Sequence, residues 1–201
     1  MPLDDGAAPD QPEWDGCPRC EAHHPEFDRA VAAVHYAAPW SGLIARMKFQ
    51  GQVDLGRPLG RMVAGAVARA VAMRLASGAA AMPDIVLPLP VSKDRLQERG
   101  YNQSWLLARH CARALKLPCR HDVLHRTRHT ARLMTLSAED RALALHDAFA
   151  VPTPRLRHVR GKHVALVDDV LTTGATLDAA SLALREAGAS SISVWVFART
   201  P

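Results

Sequence analysis

The string VALVDDVLTTGAT at 164–176 ends an apolar run in two adjacent carboxylates, Asp168 and Asp169. Like charges side by side repel, so the pair is unfavourable unless something uses it. A ribose can, because its neighbouring hydroxyls donate hydrogen bonds to carboxylates; a divalent metal can as well. The residues that follow, Leu171, Thr172, Thr173, Gly174, Ala175 and Thr176, are mostly small or hydroxylated and lead into a helix. Small side chains let backbone N–H groups converge on one point, and the helix N-terminus adds the positive end of its dipole. Together they make a cradle for one phosphate, a few residues from two acids able to hold a ribose. A 5-phosphoribosyl group presents those two features in that relation. The plainer alternative is a surface Asp pair with a threonine N-cap. A Walker-type loop is excluded, because no Gly-Lys-Ser/Thr follows the glycine.

Such a loop needs a strand before it and a helix after it. GKHVALVDD reads as the strand, and ATLDAASLALREAG as the helix, with Gly188 at its C-terminal end. ISVWVFA alternates as a last strand. Upstream, FDRAVAAVHY at 27–36 reads as a strand, and Ser41 as the cap of a short helix carrying Leu43, Ile44 and Met47. A long helix is expected from Leu55 to Leu75, with Pro58 in its first turn and Gly78 at its end. DIVLPLP at 84–90 is a buried-type strand stopped by prolines. A polar loop follows, then a helix from Asn102 to Leu115, a strand over CRHDVLHR at 119–126, an irregular polar stretch at 127–137, and a helix over SAEDRALALHDAF. Strand and helix alternate in the second half, which implies parallel strands with crossovers. Ligands of such sheets bind at the carboxyl ends of the strands, where VALVDD ends.

The chain has 201 residues, enough to bury a core without disulfide staples. Alanine and leucine are abundant and broken by short β-branched runs, which points to an α/β protein. The net charge is +5, with ten histidines in reserve. That balance favours anionic partners such as phosphates, nucleic acid or acidic lipid, or it is a solvated arginine-rich surface. The longest apolar stretch, 58–82, is interrupted by Arg61, Arg69 and Arg74, so no membrane insertion is expected, and the chain reads as cytoplasmic.

VALVDDVLTTGAT closely resembles the 5-phosphoribosyl-1-diphosphate (PRPP) loop of the type I phosphoribosyltransferases. KFQG at 48–51, LPLP at 87–90, RLQERGYNQSWLLAR at 95–109 and RTRHTARLMTLSAEDRALALHDAF at 126–149 add to the match. In this order, with PEFDRAVAAVHY upstream, they resemble the ComF family, phosphoribosyltransferase-like proteins linked in many bacteria to competence and DNA uptake. The resemblance covers roughly residues 17–198 and implies an α/β type I phosphoribosyltransferase fold. That is a mostly parallel sheet flanked by helices, with a small N-terminal cysteine-containing appendage. Residues 1–26 would be a mobile segment with the remnant of a zinc-ribbon-like module, and 27–201 the phosphoribosyltransferase-like domain.

The resemblance also implies roles. Asp168 and Asp169 hold the ribose, and Leu171 to Thr176 wrap the 5-phosphate. The turn at Leu89 and Pro90 meets the pyrophosphate. Arg95, Arg99, Arg126 and, from a flexible hood at 127–137, Arg128 and Arg132 neutralise it, since guanidinium forks match phosphate oxygens. Gly100 allows close backbone approach, and Tyr101 is a packing residue. Mg²⁺ bridges pyrophosphate and ribose oxygens. The implied reaction is displacement of pyrophosphate from C1 of PRPP by a nitrogen nucleophile. No residue stands out as a general base. Two positions depart from the family pattern, Met134 where glutamine is usual and Ala144 where asparagine is usual.

Cys17-Pro18-Arg19-Cys20 has half the spacing of a zinc ribbon. The family usually carries two such pairs, of which this is the second. Either the true start lies upstream, or His23 or His24 supplies ligands to Zn²⁺, or the site is lost. Cys111 and Cys119 read as buried small residues. Three functions follow. The first is a PRPP-binding protein of DNA uptake, partnered by a competence helicase or another uptake component. The second is an active phosphoribosyltransferase of nucleotide or base metabolism. The third is a module binding DNA directly without PRPP chemistry.

Overall fold

The computed structural model describes residues 24–76, 82–127 and 148–200. In chain order these form β1 (Arg29–His35), α1 (Trp40–Phe49), α2 (Gly56–Ala76), β2 (Ile85–Pro88), α3 (Lys93–Arg99), α4 (Gln103–Leu115), β3 (His125–Arg126), β4 (Phe149–Ala150), β5 (His163–Leu171), α5 (Ala175–Glu186) and β6 (Ser191–Arg199). Four strands pair into one sheet in the order β1-β6-β5-β2, every pairing parallel. β3 and β4 form a separate antiparallel pair. The α/β class and the parallel sheet read from the sequence are thus present.

Helices cover both faces of the sheet. On one face α5 sets Leu177, Ala180 and Leu184 against Val164, Leu166, Ile192 and Val194. On the other, Ile44, Met47, Val63, Val67 and Leu107 from α1, α2 and α4 meet Val86, Ala165, Val167, Trp195 and Phe197. A strand covered on both faces needs no polar alternation. β6 is therefore buried without a break from Ile192 to Ala198, where the sequence suggested alternation. Its one polar residue in that run, Ser193, has its hydroxyl 2.8 Å from Nε2 of His163.

Helix α2 opens with Pro58 in its first turn, as its sequence predicts, and buries Leu59, Val63 and Val67 at helical spacing. It packs on α4 almost backbone to backbone. A Cβ at Gly60 would stand 2.8 Å from the carbonyl oxygen of Leu107, and one at Gly56 would stand 2.7 Å from Cβ of Leu106.

Several local expectations change. Ser41 does not cap α1: Pro39 holds the N-cap position and no side chain closes that end. The stretch after β2, expected as a loop, holds the two-turn helix α3. Ser92 caps it by accepting from the Arg95 N–H, and Gly100 ends it at φ +77°. The strand expected over 119–126 breaks up: Cys119 makes one parallel bridge to Val86, and only His125–Arg126 pair further on. Strand β5 does not stop at the acidic pair. It runs on to Leu171 beside β6, while its partner β2 has already ended at Pro88 opposite Val167. Gly78, most of the hood, Met134, Ala144 and nearly all of the helix expected over 137–149 lie outside the described residues. No helix among them is long and apolar enough to cross a membrane.

Candidate functional site

The early end of β2 leaves a step in the sheet, and the acidic pair stands on it. Along β5, Val164 and Leu166 belong to the α5-side core, Ala165 and Val167 to the other. Strict alternation would send Asp168 and Asp169 to opposite faces. Beyond them the phase is reversed, with Val170 against the α1–α2–α4 core and Leu171 against the α5 core. The shift falls on the two acids, and both line one cleft of about 430 Å³.

Their partners come from far away in the chain. Ser104, in the first turn of α4, donates its hydroxyl to Asp168 Oδ1 at 2.8 Å. Lys48, near the end of α1, places Nζ 2.8 Å from Asp169 Oδ1. Asp169 is 3 % exposed, and its Oδ2 has no hydrogen-bond partner among the described residues. Burial, and then the charge of Asp169, push the Asp168 carboxyl up to about 7. Ser104, the Asp169 backbone and Lys48 act in the opposite direction. One acid is thus ion-paired and buried, and the other is poised to change its charge near neutrality.

Thr172 to Thr176 continue the wall of the cleft. Gly174 is the N-cap of α5 in the left-handed region at φ +84°, and no side chain caps the helix. A threonine N-cap is therefore not what these hydroxyls provide. The first N–H groups of a helix have no intrahelical acceptor. Here the Ala175 N–H reaches Thr173 Oγ1 only at 3.5 Å, and the first backbone bond is from Asp178 N–H to the Gly174 carbonyl at 2.8 Å. The end of α5 thus presents backbone donors and threonine hydroxyls together, a combination that attracts an anion.

Opposite, the Leu89–Pro90 turn is locked to α4 by Asn102. Asn102 Nδ2 donates to the Leu89 carbonyl at 3.0 Å, while its Oδ1 accepts from the N–H groups of Ser104 and Trp105. The Leu89 N–H donates to the Val167 carbonyl at 2.8 Å, one residue before the acids. One asparagine therefore caps α4, aims Ser104 at Asp168 and fixes the turn. Arg95 and Arg126 enter from α3 and β3. Burial first, and then the Arg95 charge, lower the Arg126 pKa, and Asp168 works against them. Two cations brought together this closely form a natural seat for a diphosphate.

Asp168, Asp169, Leu89, Pro90, Arg95, Arg126 and the run from Leu171 to Thr176 all line the cleft. Arg99 does not: its guanidinium lies 5.1 Å above the ring of Phe49. Tyr101 donates its hydroxyl to the Met47 carbonyl and ties α1 to the segment before α4. Arg128, Cys17 and Cys20 lie outside the described residues. Sequence reasoning did not assign Lys48, Tyr36, Gln103 and Ser104 to the site. Lys48 had a signal, the KFQG string, but nothing local tied it to Asp169. Among the described residues no three His, Cys, Asp or Glu side chains gather as a metal site.

The sequence profile of the phosphoribosyl transferase domain matches residues 102–201. Competence protein F of Haemophilus influenzae is 37% identical over 183 residues, covering 91% of this chain and 78% of that protein. DNA utilization protein YhgH of Escherichia coli K12 is 36% identical over 185 residues, covering 92% and 78%. Competence protein ComFC of Bacillus subtilis is 31% identical over 124 residues, 58% of this chain and 45% of that one. Among solved structures, the allosteric regulatory enzyme of purine biosynthesis aligns at a TM-score of 0.45 and 25% identity over 70% of this chain, which spans 25% of that one.

Proposed function

We propose a function from one premise: the chain belongs to the ComF family and carries its phosphoribosyltransferase-like domain. The cleft binds PRPP, and the protein serves competence or DNA utilization, the roles named for its relatives. A competence helicase or another uptake component is the partner class. The observation that carries the reading is that both acids and the threonine loop face one cleft. Asp168 and Asp169 accept the ribose hydroxyls, and the buried, unpartnered Asp169 Oδ2 is an acceptor waiting for a donor. The N-terminus of α5 with Thr172, Thr173 and Thr176 takes the 5-phosphate. The Leu89–Pro90 turn, Arg95 and Arg126 take the diphosphate.

Mg²⁺ fits this site only together with the ligand. Lys48 occupies Asp169 Oδ1, and the two carboxylates are too few donors for a protein-held ion. Ligand oxygens and water would complete the shell, with Asp168 and Asp169 Oδ2 at its border. When bound, the ion would neutralise the diphosphate. Arg95 and Arg126 would do the same from the protein side as charge develops on a departing diphosphate.

Thermal denaturation with and without PRPP and Mg²⁺ tests the reading, with ribose 5-phosphate for comparison. A ligand at ~100 times its Kd adds about 2.7 kcal/mol, which is several degrees for a domain of this size. The double variant Asp168→Ala/Asp169→Ala loses the shift; intact affinity in that variant overturns the site. Pyrophosphate release with an amine or base marks an active transferase, and a shift without release marks a PRPP-binding role.

A further inference from the structure

A second cleft, of about 490 Å³, lies between α2 and α4, lined by Arg57, Arg61, His110, Arg113 and Ala114. Its cations are held by the packing of the two helices. Gly60 lies between Arg57 and Arg61, and a Cβ there would stand 2.9 Å from Cβ of His110. The missing side chain lets α4 seat His110 directly on α2, so the arginines of α2 face His110 and Arg113. Neither helix contains a single Asp or Glu. None of Arg57, Arg61 and Arg113 has an ion pair with any described residue. The unbalanced field is felt at His110, whose pKa is lowered first by burial and then by Arg109, Arg57 and Arg113.

Like charges gathered in a concave place and left unpaired are unfavourable until an anion joins them. Three guanidiniums supply forked donors for several phosphate oxygens at once. A single inorganic phosphate would leave most of that charge unbalanced. The lining is compact, spanning little more than one turn of each helix, and the arginine stems and Ala114 give it an apolar floor. We propose that this cleft is a second anion site, built for a small polyphosphate of the tripolyphosphate or nucleoside triphosphate kind. It is separate from the cleft of Asp168 and Asp169 and does not rest on the PRPP reading. Helix α4 joins the two sites: Ser104 and His110 are six residues apart, about 9 Å along its axis.

His110 reports on this cleft directly. Its ring titration is followed by NMR in the full chain, with and without tripolyphosphate. Tripolyphosphate neutralises the neighbouring arginines, so the His110 midpoint moves up. The exposed-residue variant Arg57→Gln/Arg113→Gln raises the midpoint in the absence of ligand and abolishes the response. Asp168→Ala/Asp169→Ala keeps it, which separates this site from the first. An unmoved His110 in the wild-type protein overturns the proposal, as does an undiminished response in Arg57→Gln/Arg113→Gln. A response to a single-stranded oligonucleotide but not to tripolyphosphate also overturns it, and assigns the surface to nucleic acid.

Discussion

Ser104 Oγ donates to Asp168 Oδ1 at 2.8 Å, and this bond joins the start of α4 to the acidic step of β5. It opposes two stronger influences, burial and the Asp169 charge, that raise the Asp168 carboxyl from its ordinary 3.8 to about 7. Between those values the folded chain holds a proton that the unfolded chain has released. Stability of the ligand-free protein therefore falls as pH rises from about 4 to about 7, and levels off above. Unfolding free energies from urea denaturation at pH 5 and pH 8 should differ by on the order of 2 kcal/mol in the wild type, and much less in Asp168→Asn. Equal pH dependence in both proteins would remove Asp168 as the source.

Lys48 is the counter-charge of a carboxylate that is almost fully buried. Breaking such a pair from one side leaves an uncompensated charge. Lys48→Met should cost about 2–3 kcal/mol at pH 8, somewhat below the range for fully buried pairs because Lys48 keeps some water contact. In an Asp169→Asn background the same change should cost far less. A double-mutant cycle read by urea denaturation measures the difference, and additive costs would mean the contact carries no energy.

The acidic pair and its loop were legible because their chemistry is local: thirteen consecutive residues carry strand, acids, glycine and threonines. The partners of the acids were not, since Lys48 and Ser104 are brought in by tertiary packing. Helix α3 escaped for another reason. It buries no residue, so it has no apolar period to detect, and its signs are only the Ser92 cap and Gly100. In 119–126 the consecutive Val123 and Leu124 both join the core that holds α5, which a strand's alternation does not allow, and Arg120 turns aside to pair with Asp122. Asn102 stood in the quoted RGYNQ string, but its three bonds could be seen only once Leu89 lay beside α4.

Gly174 sits at φ +84°, and among the described residues a Cβ there would meet only Leu171 Cδ1, at an ordinary 3.6 Å. Space is available, so the cost of Gly174→Ala is conformational, about 1–2 kcal/mol. The chain can relieve that strain by turning the loop, which would misalign the N–H groups at the start of α5. PRPP affinity should fall more than stability does. Calorimetric titration beside urea denaturation separates the two. Loss of stability with unchanged affinity would mean the loop does not hold the phosphate.

Gly60 and Gly42 give opposite forecasts for the same substitution. Both are in helices, where alanine is favoured over glycine by up to ~1 kcal/mol. No described residue lies within 4 Å of a Cβ built on Gly42 in α1, so Gly42→Ala should stabilise by about 0.5–1 kcal/mol. At Gly60 the new methyl would press on the Leu107 carbonyl oxygen at 2.8 Å and on His110 Cβ at 2.9 Å. Backbone cannot swing aside as a side chain can, so α2 and α4 must part. Gly60→Ala should lose about 2 kcal/mol despite its better helix propensity. Urea midpoints read both variants, and a stable Gly60→Ala protein would mean that the helices do not meet backbone to backbone.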